Sequence, residues 1–207
     1  MRYCSIDTES CGLRPEHDIL EFGAILDDLE NPLPLDELPR FHCYFTKDDY
    51  CGSAFALSMH PVIFRRIADR EEGYDYLSAM KFGNLFKRFL VKHGYEEEQQ
   101  KVVINVAGKC FAASDMPALK SKTDIAKHVI MRKNVLDPGI LYIEKGDERL
   151  PSLSECKSRA GMPDVVAHNA LDDAMDVVSL IRKKLIREEF LIGTTVGDLS
   201  RSNRETI

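Results

Sequence analysis

Tyr3-Cys4-Ser5-Ile6-Asp7-Thr8-Glu9-Ser10-Cys11-Gly12-Leu13 is the stretch whose reading decides the fold of this chain. It reads as a short strand running into a polar turn. Alternate side chains of a strand share a face, so Asp7 and Glu9 project to one side, while Ile6 and Cys4 point to the other, toward a core. Two carboxylates on one face near a strand end repel each other unless a cation or a proton lies between them. An isolated Asp-x-Glu is ordinarily a solvated strand end. The motif gains meaning only if distant parts of the chain bring further ligands.

The chain of 207 residues can bury one good hydrophobic core. Its 44% apolar and 30% charged residues are those of an ordinary globular protein. No apolar run approaches the ~20 residues that span a bilayer, and the N-terminus enters Arg2 and a strand without the apolar core of a signal peptide. Six scattered cysteines (Cys4, Cys11, Cys43, Cys51, Cys110, Cys156) form no C-x-x-C pair, which argues for reduced thiols in a cytoplasmic compartment. The net charge of -6 lacks the basic surplus usual for phosphate neutralisation. Local basic clusters such as Arg65-Arg66, Lys87-Arg88 and Arg132-Lys133 read as solvated faces. An acidic enzyme can still hold nucleic acid when bound cations supply the positive charge.

Beyond the turn, Asp18 to Asp28 is a second strand, with Ile19, Glu21, Gly23, Ile25 and Asp27 on one face. Arg40 to Thr46 is a third, rich in aromatics. Three strands with no helix between them predict an antiparallel meander. Residues 47–59 read as irregular, Pro61 to Arg70 as a short helix and Tyr76 to His93 as a longer one with apolar residues at helical spacing. Lys101 to Ala107 is a buried strand ending at Gly108, after which Ser114 to Pro117 opens a helix. Ile125 to Arg132 reads as a short helix, and Val135 to Ile143 as a segment interrupted by Pro138-Gly139. Ser152 and Glu155 form a capping box opening a helix to Gly161. Leu171 to Glu189 is the longest helix. The expected organisation is a single domain over 1–192 and a polar tail over 193–207.

Three places put acids in company. They are Asp7 with Glu9, Asp115 at the mouth of a helix after the buried strand, and His168-Asn169-Ala170-Leu171-Asp172-Asp173 at the start of the longest helix. Taken in order, Asp-x-Glu on a first strand, an Asp after a fourth strand and His-x-Ala-x-x-Asp at the last helix resemble the DEDDh 3′→5′ exonuclease superfamily, which includes proofreading subunits and oligoribonucleases. The match runs from about Arg2 to about Leu185. Asp7 to Leu13 is similar to that family's Asp-Thr-Glu-Thr-Thr-Gly-Leu. The second motif departs from the pattern: in Gly108-Lys109-Cys110-Phe111-Ala112-Ala113-Ser114-Asp115, Cys110 replaces an Asn and Ser114 a Phe. Within the last helix, a turn of ~3.6 residues aligns Asp172 with the polar Asp176, Ser179 and Lys183. Asp173 falls with Ala170, Val177 and Leu180, so it is the inward acid.

The resemblance implies a ribonuclease-H-like α/β fold, a five-stranded mixed sheet whose first three strands are antiparallel, flanked by helices. It implies a metal-dependent exonuclease that frees nucleoside 5′-monophosphates from single-stranded 3′ ends of DNA or RNA. Two divalent ions, Mg²⁺ or Mn²⁺, ~3.5–4 Å apart would generate the nucleophile and stabilise the leaving oxygen. Such hard cations prefer carboxylate and water oxygens. By resemblance, Asp7, Glu9, Asp115 and Asp173 are the metal ligands and His168 is the general base, a role that suits an imidazole. Leu13 would wedge against the last base, and the backbone of Thr8 and Glu9 would contact the terminal nucleotide. A homodimer, a polymerase partner and the choice among DNA, RNA and a short oligonucleotide stay open. A non-catalytic nucleic-acid-binding or scaffolding module of the same fold is the rival reading, but it has no need of four carboxylates and a histidine. A ribonuclease H is the third, and the His-x-Ala-x-x-Asp spacing favours the exonuclease.

Overall fold

The N-terminal stretch forms β1 (Arg2–Ser10) in a computed structural model that describes residues 1–165 and 167–186. β2 (Ile19–Asp28) and β3 (Arg40–Phe45) follow, and both pairings in this meander are antiparallel. After α1 (Ala54–Met59) and α2 (Pro61–Asp69), the two-residue β4 (Tyr76–Leu77) adds parallel to the outer side of β3. β7 (Val106–Ala107) adds parallel to β1, giving a five-stranded mixed sheet in the order β4-β3-β2-β1-β7.

Helices cover both faces because β1 and β2 bury both sets of alternating side chains. On one face Cys4, Ile6, Phe22 and Ala24 pack with Phe82, Phe86 and Leu90 of α3 (Ala79–Lys92). The ring of Phe22 meets those of Phe82 and Phe86 edge-on, with centroids 4.6 and 5.1 Å away, a favoured aromatic geometry. On the other face Tyr3 and Ile25 pack with Ala174, Val177, Val178 and Ile181 of α7 (Ala170–Leu185). A buried ion pair also ties α7 to β2. Asp27 accepts from Tyr3 Oη at 2.7 Å and from Arg182 Nε at 2.9 Å, while Arg182 Nη1 donates to Leu33 O at 2.7 Å. That many donors satisfy a carboxylate which would otherwise be costly to bury.

Several expected elements differ. The run Lys101 to Ala107 is divided between two sheets. β6 (Lys101–Ile104) belongs to a three-stranded sheet, and only β7 joins β1. The break falls at Asn105, a poor strand former whose amide donates to Arg2 O at 2.8 Å. Tyr76 and Leu77 are strand rather than helix, because Tyr44 N–H and Thr46 N–H bond to the carbonyls of Asp75 and Leu77. Within 47–59, expected to be irregular, Ser53 accepts from Ala56 N–H and starts α1. Ile125 to Arg132 is not a helix. A 3-10 turn (Ile125–Lys127) leads into β8 (Val129–Met131), which pairs parallel with β6, while β5 (Glu97–Glu98) flanks the other side. The β-branched Val129-Ile130 favours that choice. Asp137 caps the single turn α5 (Pro138–Leu141). α4 (Asp115–Lys122) begins at Asp115. The last helix, expected to run to Glu189, ends at Leu185, where Ile186 takes an extended backbone, ψ 119°; the tail 193–207 lies outside the described residues. No described helix is long and apolar enough to cross a membrane.

The capping box forms as its sequence predicts. In α6 (Leu153–Arg159), Ser152 Oγ accepts from Glu155 N–H and Glu155 Oε2 accepts from Ser152 N–H at 2.6 Å. Arg149 also donates to both Glu155 oxygens, which holds this carboxyl down at about 2. The folded-state value is depressed, so the contribution of Glu155 is fully present above an ordinary carboxylate pKa and is lost as pH falls toward 2. Ser152→Ala should cost about 1 kcal/mol of stability, read as a lower urea midpoint at pH 7.

Candidate active site

The pleat of β1 carries Tyr3, Ser5, Asp7 and Glu9 toward α7; Ser5 Oγ donates to Ala174 O at 2.8 Å on that face. What lets α7 come so close is Gly23, paired with Asp7 across the sheet. A Cβ at Gly23 would stand 2.4 Å from the carbonyl carbon of Ala170 and 2.5 Å from Leu171 N. The first turn of α7 therefore rests directly on β2. Asn169 caps it by accepting from Asp172 N–H at 2.9 Å.

That docking decides between the two neighbouring acids. Asp173 is buried and faces the sheet, whereas Asp172 is exposed and pairs with the Asn169 amide. Glu9, His168 and Asp173 each bring a ligand atom into one group whose atoms lie within 4.8 Å of one another, the one such group of three among the described residues. Asp7 and Asp115 stand outside that radius but act on the same charge balance. His168, expected as a base and not as a ligand, thus sits among donors that could hold a cation. It is exposed and has a left-handed backbone, φ +51°.

The electrostatics are those of a site in want of positive charge. Burial raises the Asp7 carboxyl well above its usual range, and Asp115, Glu9 and Asp173 raise it further. Burial, then Asp173 and Glu21, push Glu9 up to about 8. Burial and Asp176 push Asp173 up to about 6. Burial also raises Asp115, against two hydroxyls that stabilise its anion: Thr8 Oγ1 and Ser114 Oγ each donate to it at 2.6 Å. One oxygen of Asp173, Oδ1, is buried with no hydrogen-bond partner. A buried acceptor left bare is costly, and a divalent cation would satisfy it. Crowded carboxylates with one histidine are a donor set for hard cations such as Mg²⁺ or Mn²⁺.

A cleft of about 570 Å³ opens from Asp7 and Asp115 between the turn after β1 and α4. Leu13 stands at it 94% exposed, a large apolar side chain held in water. The turn that presents it needs glycine: Gly12 has φ +140°, and a Cβ there would lie 2.2 Å from Nδ1 of His17. Of the two departures in the second motif, Ser114 lines this cleft, and Cys110 follows Lys109, which lines it too. Ser114 holds Asp115, as above. Cys110 is exposed with φ +56°, a conformation Asn adopts more readily, and its N–H donates to Asp137 at 2.8 Å. Lys109 Nζ lies 3.2 Å from its sulfur and 3.4 Å from Asp137.

Two further side chains face the acids without having been expected there. His60, buried where α1 meets α2, places Nε2 3.6 Å from Glu9 Oε2, and burial lowers its pKa. Glu21 of β2 is 1% exposed, stands opposite Glu9 in register and bonds to His42. The signal for Glu21 is an acid inside the apolar run Ile19 to Leu26. His60 had none, since nothing near it in sequence is acidic.

No family sequence model and no curated protein matches the chain. Solved structures do. Exonuclease I superposes with TM-score 0.60 at 14% identity over 92% of this chain and 43% of that one. E. coli exonuclease I in complex with a dA16 oligonucleotide gives 0.57 at 16% over 92% and 43%. Cell-death related nuclease 4 gives 0.59 at 12% over 93% and 64%. The chain spans less than half the length of the exonuclease I chains it superposes on. Its fold is that of these nucleases, a ribonuclease-H-like mixed sheet flanked by helices.

Proposed function

We propose that this chain is a DEDDh-type 3′→5′ exonuclease, dependent on a divalent metal and releasing nucleoside 5′-monophosphates from single-stranded DNA or RNA. The observation that carries the reading is the convergence of Glu9, His168 and Asp173 beside Asp7 and Asp115, with one buried oxygen of Asp173 left bare. Asp7, Glu9, Asp115 and Asp173 would hold Mg²⁺ or Mn²⁺, which when bound supplies positive charge against the phosphate and activates water. His168 takes the proton of the attacking water as its oxygen bonds to phosphorus and the bond from phosphorus to the 3′ oxygen breaks; solvent protonates the departing oxygen. The Thr8 hydroxyl is committed to Asp115, and by the resemblance the backbone at Thr8 and Glu9 contacts the terminal nucleotide. Leu13, exposed at the cleft, packs against the last base. The neighbours solved with dA16 and dT13 oligonucleotides support a single-stranded substrate. Six free thiols support a reducing, cytoplasmic setting.

The test offers 5′-labelled and 3′-labelled single-stranded DNA and RNA to the chain with Mg²⁺ or Mn²⁺. A ladder shortening from the 3′ end is the expected result, and it vanishes in EDTA. Undiminished hydrolysis in excess chelator would sink the metal assignment. Binding to the folded site alone should also raise stability, by about 2.7 kcal/mol at a hundredfold excess over Kd. A thermal midpoint indifferent to Mn²⁺ would mean that the acids hold no cation.

A further inference from the structure

Glu21 is a buried acid that the proposed chemistry leaves without a task. It sits 1% exposed in β2, directly opposite Glu9. A carboxylate buried that deeply must have its oxygens satisfied, and both are. Oε1 lies 2.6 Å from Nε2 of His42, which donates from its Nε2–H tautomer. Oε2 accepts from Ala170 N–H at 3.2 Å. Glu21 is not part of the group that Glu9, His168 and Asp173 form.

Ala170 opens α7, directly after His168-Asn169 and one turn before Asp173. Its N–H is among the first donors of the helix, which have no partner within it. Asn169 satisfies the N–H of Asp172, and Glu21 satisfies that of Ala170. An anion here is also favoured by the helix dipole. Gly23, next along the same face, sets how near the helix can come, whereas the Glu21 bond sets where its first residue sits. On the other side His42 comes from β3, its ring edge-on to Tyr44 at 5.0 Å, so the carboxylate is gripped from two elements.

Resting on the exonuclease reading above, we infer that Glu21, gripped by His42, is a positioning residue: it docks the first turn of α7 on β2 and so sets where His168 and Asp173 stand against Glu9. The rival role is charge alone, since Glu21 adds its field to those acting on Asp7 and Glu9. Glutamine separates the two. Glu21→Gln removes the charge but keeps an acceptor for Ala170 N–H and an amide donor for the other tautomer of His42. Glu21→Ala removes both bonds.

The experiment measures kcat and KM on a 5′-labelled oligonucleotide at saturating Mn²⁺ for the full chain and both variants, together with amide hydrogen exchange at Ala170 and Leu180. Glu21→Ala should lower kcat about 10–100-fold, the usual effect of losing a group that orients a ligand. KM should stay near its wild-type value, and exchange should quicken at Ala170 but not at Leu180. Glu21→Gln should restore most of kcat. Wild-type kcat in Glu21→Ala overturns the inference, and so does a Glu21→Gln variant as slow as Glu21→Ala. If Glu21→Ala fails to fold, His42→Leu takes its place: it strips one bond from Glu21 and must lower kcat, and wild-type kcat in it is equally fatal. Should the wild-type chain hydrolyse nothing with Mn²⁺, the exonuclease reading falls. The docking is then decided by exchange at Ala170 alone, where unchanged protection in Glu21→Ala refutes it.

Discussion

Asp173→Asn should abolish hydrolysis and weaken Mn²⁺ binding, whereas Asp172→Asn should keep most of the activity. The two acids are adjacent in sequence and differ by one step around α7. Asp173 lies against the sheet with Ala170, Ala174 and Val177, and one of its oxygens is buried without a partner. Asp172 is exposed and bonded to the Asn169 amide. Asparagine at 173 keeps the volume but removes the charge that Glu9 and Asp7 feel, and it places an amide where a cation would sit. Asparagine at 172 leaves the cap intact, because the bond that caps the helix uses its backbone N–H. Rates and Mn²⁺ titrations of both variants decide the matter. A dead Asp172→Asn beside an active Asp173→Asn would show that the outward acid is the one that matters.

That contrast was legible in the sequence because a helix converts spacing into direction. The same holds for the alternation of β1, the phenylalanines of α3 and the Ser152–Glu155 box, all short-range patterns. What was not legible rests on partners remote in sequence. Tyr76 and Leu77 belong to a helical pattern until β3 offers an open edge. Val129 to Met131 are a strand because β6 lies beside them. Asn105 looks like one polar residue in a strand, yet it ends one sheet and begins another. In the site, Glu21 meets Ala170 across 149 positions. His60 reaches Glu9 only because α1 and α2 fold back over the end of β1. Propensity and periodicity carry no information at such distances, whereas motif order links Glu9 with His168 and Asp173, whose ligand atoms lie within 4.8 Å of one another.

His168 is where the structure sharpens the question most. Its imidazole shares the 4.8 Å group with Glu9 and Asp173, so it could serve the attacking water or a cation. Its exposure and its seat on a loop just before α7 suit a group that meets solvent and substrate. On that ground His168 is expected to act on the water. Replacing it should then lower the rate about 10²–10⁴-fold, the usual worth of a general base, while Mn²⁺ affinity and binding of a 3′ end hold. The left-handed backbone at this position, φ +51°, shapes the choice of variant. Alanine would add strain of its own, whereas asparagine tolerates that conformation. His168→Asn is therefore the cleaner substitution, and His168→Ala checks it. A rate loss with unchanged Mn²⁺ titration assigns the base. A parallel fall in Mn²⁺ affinity makes His168 a ligand, and wild-type turnover in both variants would remove it from the chemistry.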